Sequence, residues 1–471
     1  MQGRNKKIIY SILIVLAVAV IWFLPVPTGV KAAGWHTFAI FVGFILGCLL
    51  NVAPLAILAI IMMAVLTISQ AMPAMMVYAG FGNSAVWLIM FAFFVAIGFR
   101  TTRLGFRIAY YLIYRFGHSS LALSYVLTIC DVIMAPFVPN TNARGAGVLY
   151  PITMSLSKSL GSEPDDGTQN KIGSYLLLTS FHQNLIAGSL FLTAMATNPL
   201  AISMGKSVFH ISISWLDWFK YTSVPSILAL IIVPLVIYFI HKPELKKIPN
   251  AQSFAKQELD KMGKISLKEG IMVAVFVLMI ILWATTQFTN LDNTSIALLG
   301  LAILIVTGII GLDDILAEKK VWNIFLWLPP LMAITPYLAQ TGVIEWFKNI
   351  MANSVKGMSL TLAFIILALV YLYIHYFFTS VLVHMQALYI PFATVLVSLG
   401  ANPTMVIMMF AMLTCISPST THYGTGTASI YFATGYVTQK EWWRVGFIVS
   451  LTEFLIFMVI GLGWWKLLGM F

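Results

Sequence analysis

Long apolar runs recur along nearly the whole chain, and that recurrence limits what it can fold into more than any single motif does. Runs of spanning length occupy Ile8 to Phe23, His36 to Val52, Pro54 to Ile68, Ser84 to Phe99, Gly173 to Met195 and Val224 to Ile240. After a hydrophilic stretch they resume at Gly270 to Thr286, Ile296 to Leu312, Phe325 to Leu338, a broken run from Pro403 to about Tyr436, and Val445 to Leu468. A helix needs roughly 20 apolar residues to cross the hydrocarbon of a bilayer. Of 471 residues, 60% are hydrophobic and only 9% charged, against roughly a quarter charged in a soluble domain. A soluble globular enzyme is excluded. The expected class is an all-α integral membrane protein with eleven transmembrane helices, and the lipid bilayer is its first partner.

The formal net charge is +11. In such a chain positive excess gathers in cytoplasmic loops, so no nucleic-acid partner is expected. Cys48, Cys130 and Cys415 lie in apolar stretches without paired or ligand-like spacing. They read as buried thiols, with no disulfide and no metal site. Arg4, Lys6 and Lys7 precede the first run with no small-residue cleavage site after it, which predicts an uncleaved first helix. The short N-terminus without a transit peptide favours a prokaryotic plasma (inner) membrane.

Two apolar stretches, Ser119 to Leu160 and Ser359 to Val397, are interrupted at their middles, at Pro136 to Arg144 and around Thr379 to His384. Backbone that leaves the helix at membrane depth must be buried in protein or line a watery cavity, because lipid cannot satisfy its hydrogen bonds. Both stretches read as re-entrant hairpins. With the N-terminus cytoplasmic, Arg100, Arg103, Arg107, Arg115, the Lys-rich linker, Lys319, Lys320, Lys440 and Arg444 all fall on the cytoplasmic side. The Lys- and Arg-free segments Ser69 to Asn83 and Gln287 to Ser295 fall outside, as does the C-terminus.

The order of three spans, amphipathic arm, hairpin, broken span and final span then occurs twice. The first copy covers residues 1–240 (hairpin about 119–160, broken helix 173–202) and the second 270–471 (hairpin about 359–397, broken helix 403–436). A cytoplasmic linker, 241–269, carries seven Lys and four acidic residues between them. An odd number of crossings before the second copy inverts it. Inverted repeats with discontinuous helices are a secondary-transporter architecture, with the site where the repeats meet.

The first tip reads Pro139-Asn140-Thr141-Asn142-Ala143-Arg144-Gly145, and the break facing it Thr193-Ala194-Met195-Ala196-Thr197-Asn198-Pro199. Short amides and hydroxyls at inward-pointing helix starts make a donor-rich pocket suited to a carboxylate. A polar tip that only satisfies its own backbone, and Thr and Asn acting as helix glue, are the competing readings. The second tip is Thr379-Ser380-Val381-Leu382-Val383-His384, and its break runs from Ser417 through Thr421-His422-Tyr423-Gly424-Thr425-Gly426-Thr427. A run of Thr, Ser and Gly inside an apolar protein is hard to explain by packing alone.

At these residues the chain resembles the divalent anion to sodium symporter family, in particular its exchanger branch of citrate/succinate and 2-oxoglutarate/malate antiporters. The family's Ser-Asn-Thr tip triplets align with Pro139-Asn140-Thr141, a good match, and with Ser380-Val381-Leu382, a degenerate one. The branch also shares the Asn-Thr-x-Ala-Arg-Gly run, His375-Tyr376-Phe377-Phe378-Thr379-Ser380, Thr421-His422-Tyr423-Gly424-Thr425-Gly426 and Gly435-Tyr436-Val437. The resemblance implies a homodimer that works as an elevator, in which a scaffold domain holds the interface and a transport domain carries both hairpins. It implies a small dicarboxylate as substrate, contacted by Asn140, Thr141, Thr197, Ser380 and Thr427. Asn142, Asn198, Thr379, His422 and Thr425 stand close behind. In the family, sodium ions sit between each tip and the facing broken span.

Arg144 and His384 stand three and two positions beyond their triplets. A bound dianion needs compensating charge, because isolated charge in low dielectric is strongly penalised. The expectation is that Arg144, and with it His384, replaces the sodium ions. A permanent cation cannot dissociate, so an empty domain carrying it unpaired would return slowly and obligate exchange would follow. Arg144 snorkelling to headgroups and His384 as a core histidine are the alternatives. Asp131, His182, His375, His422 and Glu453 are further ionisable residues in apolar stretches, and Asp131 is a possible partner of Arg144.

The expected function is sodium-independent exchange of a di- or tricarboxylate such as succinate, malate, fumarate, 2-oxoglutarate or citrate. A sodium-coupled dicarboxylate symporter of the same fold is the alternative, followed by a channel and a membrane-embedded enzyme. No His-Glu-x-x-His occurs, and Leu200 replaces the upstream glycine that Gly205-Lys206-Ser207 would need for a phosphate-binding loop. No enzyme activity and no cofactor are expected.

Overall fold

The computed structural model describes residues 2–164, 166–354 and 357–470. Among these residues the chain is helical, and pairing outside helices amounts to one isolated bridge between Ser119 and Lys247. Ten helices of the described residues are long and apolar enough to cross a membrane. Two of them, Leu360–Phe377 and Val381–Ser398, are the arms of the second expected hairpin. Leu55–Ile68, Ser120–Met134 and Asn293–Val306 are shorter apolar helices.

Polar residues mark where several helices begin. The first four N–H groups of a helix lack intrahelical partners, and a side-chain oxygen just before it supplies one. Asn83 accepts from Ala85 N ahead of Ser84–Thr102, and Asn402 caps Pro403–Ile416. Ser214 with Asp217, Ser266 with Glu269 and Thr438 with Glu441 form reciprocal capping boxes.

The helices pack as two sets. One, here called the frame, contains Gln2–Phe23, Ala32–Leu49, Leu55–Ile68, Ser84–Thr102, Leu267–Ala284, Asn293–Val306 and Lys319–Gln340. The other, the hairpin set, gathers both interrupted hairpins and both broken helices with Trp215–Ile240 and Gln439–Ile456. Aromatic faces line part of the boundary: Phe137 stacks on Phe276 at 3.9 Å and Trp215 on Trp283 at 6.0 Å between ring centroids.

The hydrophilic linker is more ordered than its composition suggests. Glu244 N and Leu245 N donate to Asn170 O and Lys171 O, and Ile248 N donates to His118 O. Helix Pro249–Met262 then lays Ala251 and Ala255 against the amphipathic arm Leu104–Phe116. Arg107 of that arm closes the joint, pairing with Glu269 and donating to Gly263 O at 2.8 Å.

Candidate functional site

Four helix starts converge on one place. In the first hairpin, Ser120–Met134 ends, residues 135–140 leave the helix, and Thr141–Arg144 restarts it and runs through a wide turn at Gly145–Leu149 into Tyr150–Ser159. Pro136 and Pro139 lack backbone N–H groups, which favours that interruption. Asn140 caps the restart, its Oδ1 accepting from Asn142 N at 2.8 Å. The facing helix Gly173–Leu190 unwinds over a short tight turn at Leu192–Ala194 and resumes at Thr197–Phe209. Asn198 stabilises this gap by donating to Gly188 O at 2.7 Å and Phe191 O at 2.9 Å. Pro199 sits just inside the new helix, where a missing N–H costs nothing.

The second half repeats the pattern with different residues. Leu360–Tyr373 tightens at Ile374–Phe377, and Val381–Ser398 begins after Ser380. The interruption therefore ends at Ser380, four residues before His384, which lies inside the first turn of the helix rather than in the tip. The Val-Leu-Val run after Ser380 contains no breaker, so helix propagates back to it. Pro403–Ile416 breaks at Ser417–Thr420 and resumes as Gly426–Phe432.

Between these starts lies a cavity of about 180 Å³, lined by Pro139, Asn140, Thr141, Asn142, Met195, Ala196, Thr197, Thr379, Ser380, Val381, Leu382, Thr425 and Gly426. The frame contributes Phe93 and Ile324. Each helix start carries up to roughly half a positive charge from the aligned peptide dipoles, so the cavity favours an anion without holding a free side-chain cation. Of the expected contacts, Asn140, Thr141, Thr197 and Ser380 line it, with Asn142, Thr379 and Thr425. The Ser380 hydroxyl makes no capping bond and is free to act there. Thr427 is fully buried and donates to Asn142 Oδ1 at 2.6 Å, tying the second break to the first tip. Asn198 bonds the first break from behind, and His422 lies apart, accepting from Trp443 Nε1 at 3.0 Å.

Arg144 requires a correction. It does not snorkel and it is not unpaired. Its Nε donates to Asp131 Oδ1 at 2.7 Å, and both side chains are completely buried. Asn184 Nδ2 holds the other carboxylate oxygen at 2.8 Å. Through Nη1 the guanidinium donates to Val138 O of the tip and Ala194 O of the facing break, each at 2.5 Å. The pair is neutral overall, so the picture of an empty domain carrying a naked cation does not hold. What Arg144 does instead is cross-link tip and break through their carbonyls.

His384 is also placed differently. Its ring is buried among Tyr371, Phe378 and His375, with centroids 4.5, 5.2 and 5.0 Å away. The residue that joins the second hairpin to its break is His375, whose Nε2 donates to Gly424 O at 3.1 Å. Sequence reasoning left His375 and Asn184 without roles. For Asn184 the only signal was a polar residue in an apolar run, shared with many others; His375 also opened the run shared with the exchanger branch, which named no partner for its ring. Gly145 was part of the recognised tip but its function is steric: a Cβ there would lie 2.9 Å from Thr427 Cγ2 and 3.0 Å from Asn184 Oδ1. Among the described residues no group of three His, Cys, Asp or Glu side chains could hold a metal ion.

Comparison with known proteins gives consistent results. Residues 5–471 match the family model "Sodium:sulfate symporter transmembrane region". A putative malate transporter of Bacillus subtilis, YflS, is 41% identical over 99% of this chain and 98% of its own. Dicarboxylate transporter 1 of Arabidopsis thaliana chloroplasts is 38% identical over 96% of this chain and 81% of its own. An L-tartrate/succinate antiporter of Shigella boydii is 33% identical over 95% and 96%. Among solved structures, Neisseria gonorrhoeae MtrF superposes with a TM-score of 0.60 at 13% identity, covering 97% of this chain and 94% of MtrF, which speaks to the fold alone.

Proposed function

This chain belongs to the sodium:sulfate symporter family, whose members matched here are transporters and not enzymes, and we propose that it exchanges small di- and tricarboxylates without sodium. The observation that carries the reading is the Arg144 guanidinium, which bonds Val138 O and Ala194 O across the gap between tip and break. In a sodium-coupled member a cation from solution would fill such a place. A covalently attached cation leaves nothing to bind or release, so a sodium gradient has no handle on the site. His375, bonded to Gly424 O, serves the second gap, with His384 packed against it.

Asn140, Thr141, Thr197 and Ser380 take the carboxylates, with Thr427 shaping the pocket through Asn142. Exchange, rather than passage one way, is supported by the antiporter among the relatives. The hairpin set is the transport domain and slides as an elevator along the frame, which is the scaffold of a homodimer; the stacked aromatic boundary and the paired arm and linker helices suit such sliding. Eleven crossings and two re-entrant hairpins in inverted repeats, with a cytoplasmic N-terminus and an external C-terminus in a plasma membrane, agree with the charge distribution of the loops.

The test is uptake of labelled succinate into proteoliposomes preloaded with unlabelled dicarboxylates, with and without sodium. Uptake that requires internal counter-substrate and ignores sodium is expected. The family description favours one other reading, sodium symport, and uptake into empty vesicles driven by external sodium would establish it instead.

A further inference from the structure

A second cavity, of about 290 Å³, adjoins the first and shares Phe93, Asn140 and Asn142 with it. Its floor is the back of the first tip, including Arg144, and its mouth is edged by Arg100, Glu318 and Lys320 of the frame. Arg100 Nη2 bonds Glu318 Oε2 at 2.7 Å, yet the arginine side chain is 67% exposed. It thus retains donors facing water. Lys320 has no ion pair among the described residues. Arg103 stands nearby, its guanidinium 5.7 Å from the ring of Phe106, another lining residue.

We propose that Arg100 and Lys320 form a docking subsite for one carboxylate of the incoming acid, where it pauses before reaching the central cavity. This rests on the exchange reading and on the orientation given above, which puts the mouth on the cytoplasmic side. The central cavity holds no free side-chain cation, so long-range attraction for a dianion has to come from elsewhere. The mouth supplies it in a low-dielectric funnel that focuses the field on the path inward. Being at the rim and screened by salt, these charges act on capture more than on final affinity. Glu318 opposes the incoming acid and keeps Arg100 from holding it too long. All three belong to the frame, so the subsite stays on one side of the membrane when the hairpin set moves.

The experiment is exchange of labelled succinate in everted and right-side-out membrane vesicles at low ionic strength. For Arg100→Gln or Lys320→Gln, half-saturation at the cytoplasmic face is expected to rise about threefold to tenfold, an effect of the size electrostatic steering gives, and to be unchanged at the outer face. Glu318→Gln is expected to lower cytoplasmic half-saturation, an improvement that misfolding cannot mimic. Added salt should erase both changes. An equal rise at both faces, no rise at either, or a rise that depends on anionic lipid in the vesicles and not on succinate capture overturns the proposal. Absence of exchange by the unaltered protein in both vesicle types overturns the exchange reading itself.

Discussion

Asp131 and Arg144 form a salt bridge of 2.7 Å with neither side chain exposed, thirteen residues apart across the turn of one hairpin. Removing one member of a buried pair leaves an uncompensated charge at a cost of about 3–5 kcal/mol. Asp131→Asn is therefore expected to lower the melting temperature in detergent and to abolish exchange. Asp131→Asn combined with Arg144→Gln removes both charges and should recover much of the lost stability, as a double-mutant cycle would measure, but not sodium-independent exchange.

Arg144→Gln alone tests the proposed role more directly. Without the guanidinium, Val138 O and Ala194 O lose their shared donor. Exchange should vanish or come to require sodium. Unchanged sodium-independent exchange would refute the replacement of a dissociable ion by a fixed one.

The bond from Thr427 to Asn142 joins the two halves of the chain. Thr427→Val keeps the shape and leaves the half-buried Asn142 acceptor short of its donor, at about 1 kcal/mol or somewhat more. Half-saturation for succinate is expected to rise roughly tenfold, since ~1.4 kcal/mol corresponds to a factor of ten, while Thr427→Ser stays close to the parent.

Gly145→Ala should be more damaging than its size suggests, because the added Cβ meets Thr427 and Asn184, both in packed surroundings. Exchange is expected to fall at least about tenfold, as overpacking at roughly 1–3 kcal/mol would give, with membrane expression retained as judged by gel filtration in detergent.

Phe137 stacks on Phe276 across the boundary between hairpin set and frame. If the hairpin set slides, linking the two positions should stop it. Cysteines at both, in a background freed of Cys48, Cys130 and Cys415, are expected to block exchange when bridged by a short bifunctional thiol reagent and to leave the singly substituted variants active. Full exchange after complete bridging would argue against sliding at this boundary.

Much of this was legible in the chain because a helix interrupted inside an apolar run has few physical solutions. Pro136, Pro139 and the Thr- and Gly-rich stretch before Gly426 each signalled a place where backbone needs other partners, and the cavity formed there. What stayed hidden were the cross-chain pairings. His375 meets Gly424 from 49 residues away, and Asn184 meets Asp131 from 53. Periodicity fixes which face of a helix is apolar, not which distant carbonyl a buried ring will reach. The second tip was carried four residues too far, to His384 instead of Ser380, for a local reason: Val381, Leu382 and Val383 suit either a helix or an extended turn, and they form helix.

The frame's share of the central cavity, Phe93 and Ile324, has no polar group to offer a bound acid. Inside that cavity recognition therefore rides with the part proposed to travel, while the stationary part offers its charges only at the approach and is a greasy rail where the cargo is finally held. Cargo preference should be transplantable between relatives by grafting the moving half alone, with the housing left as it stands.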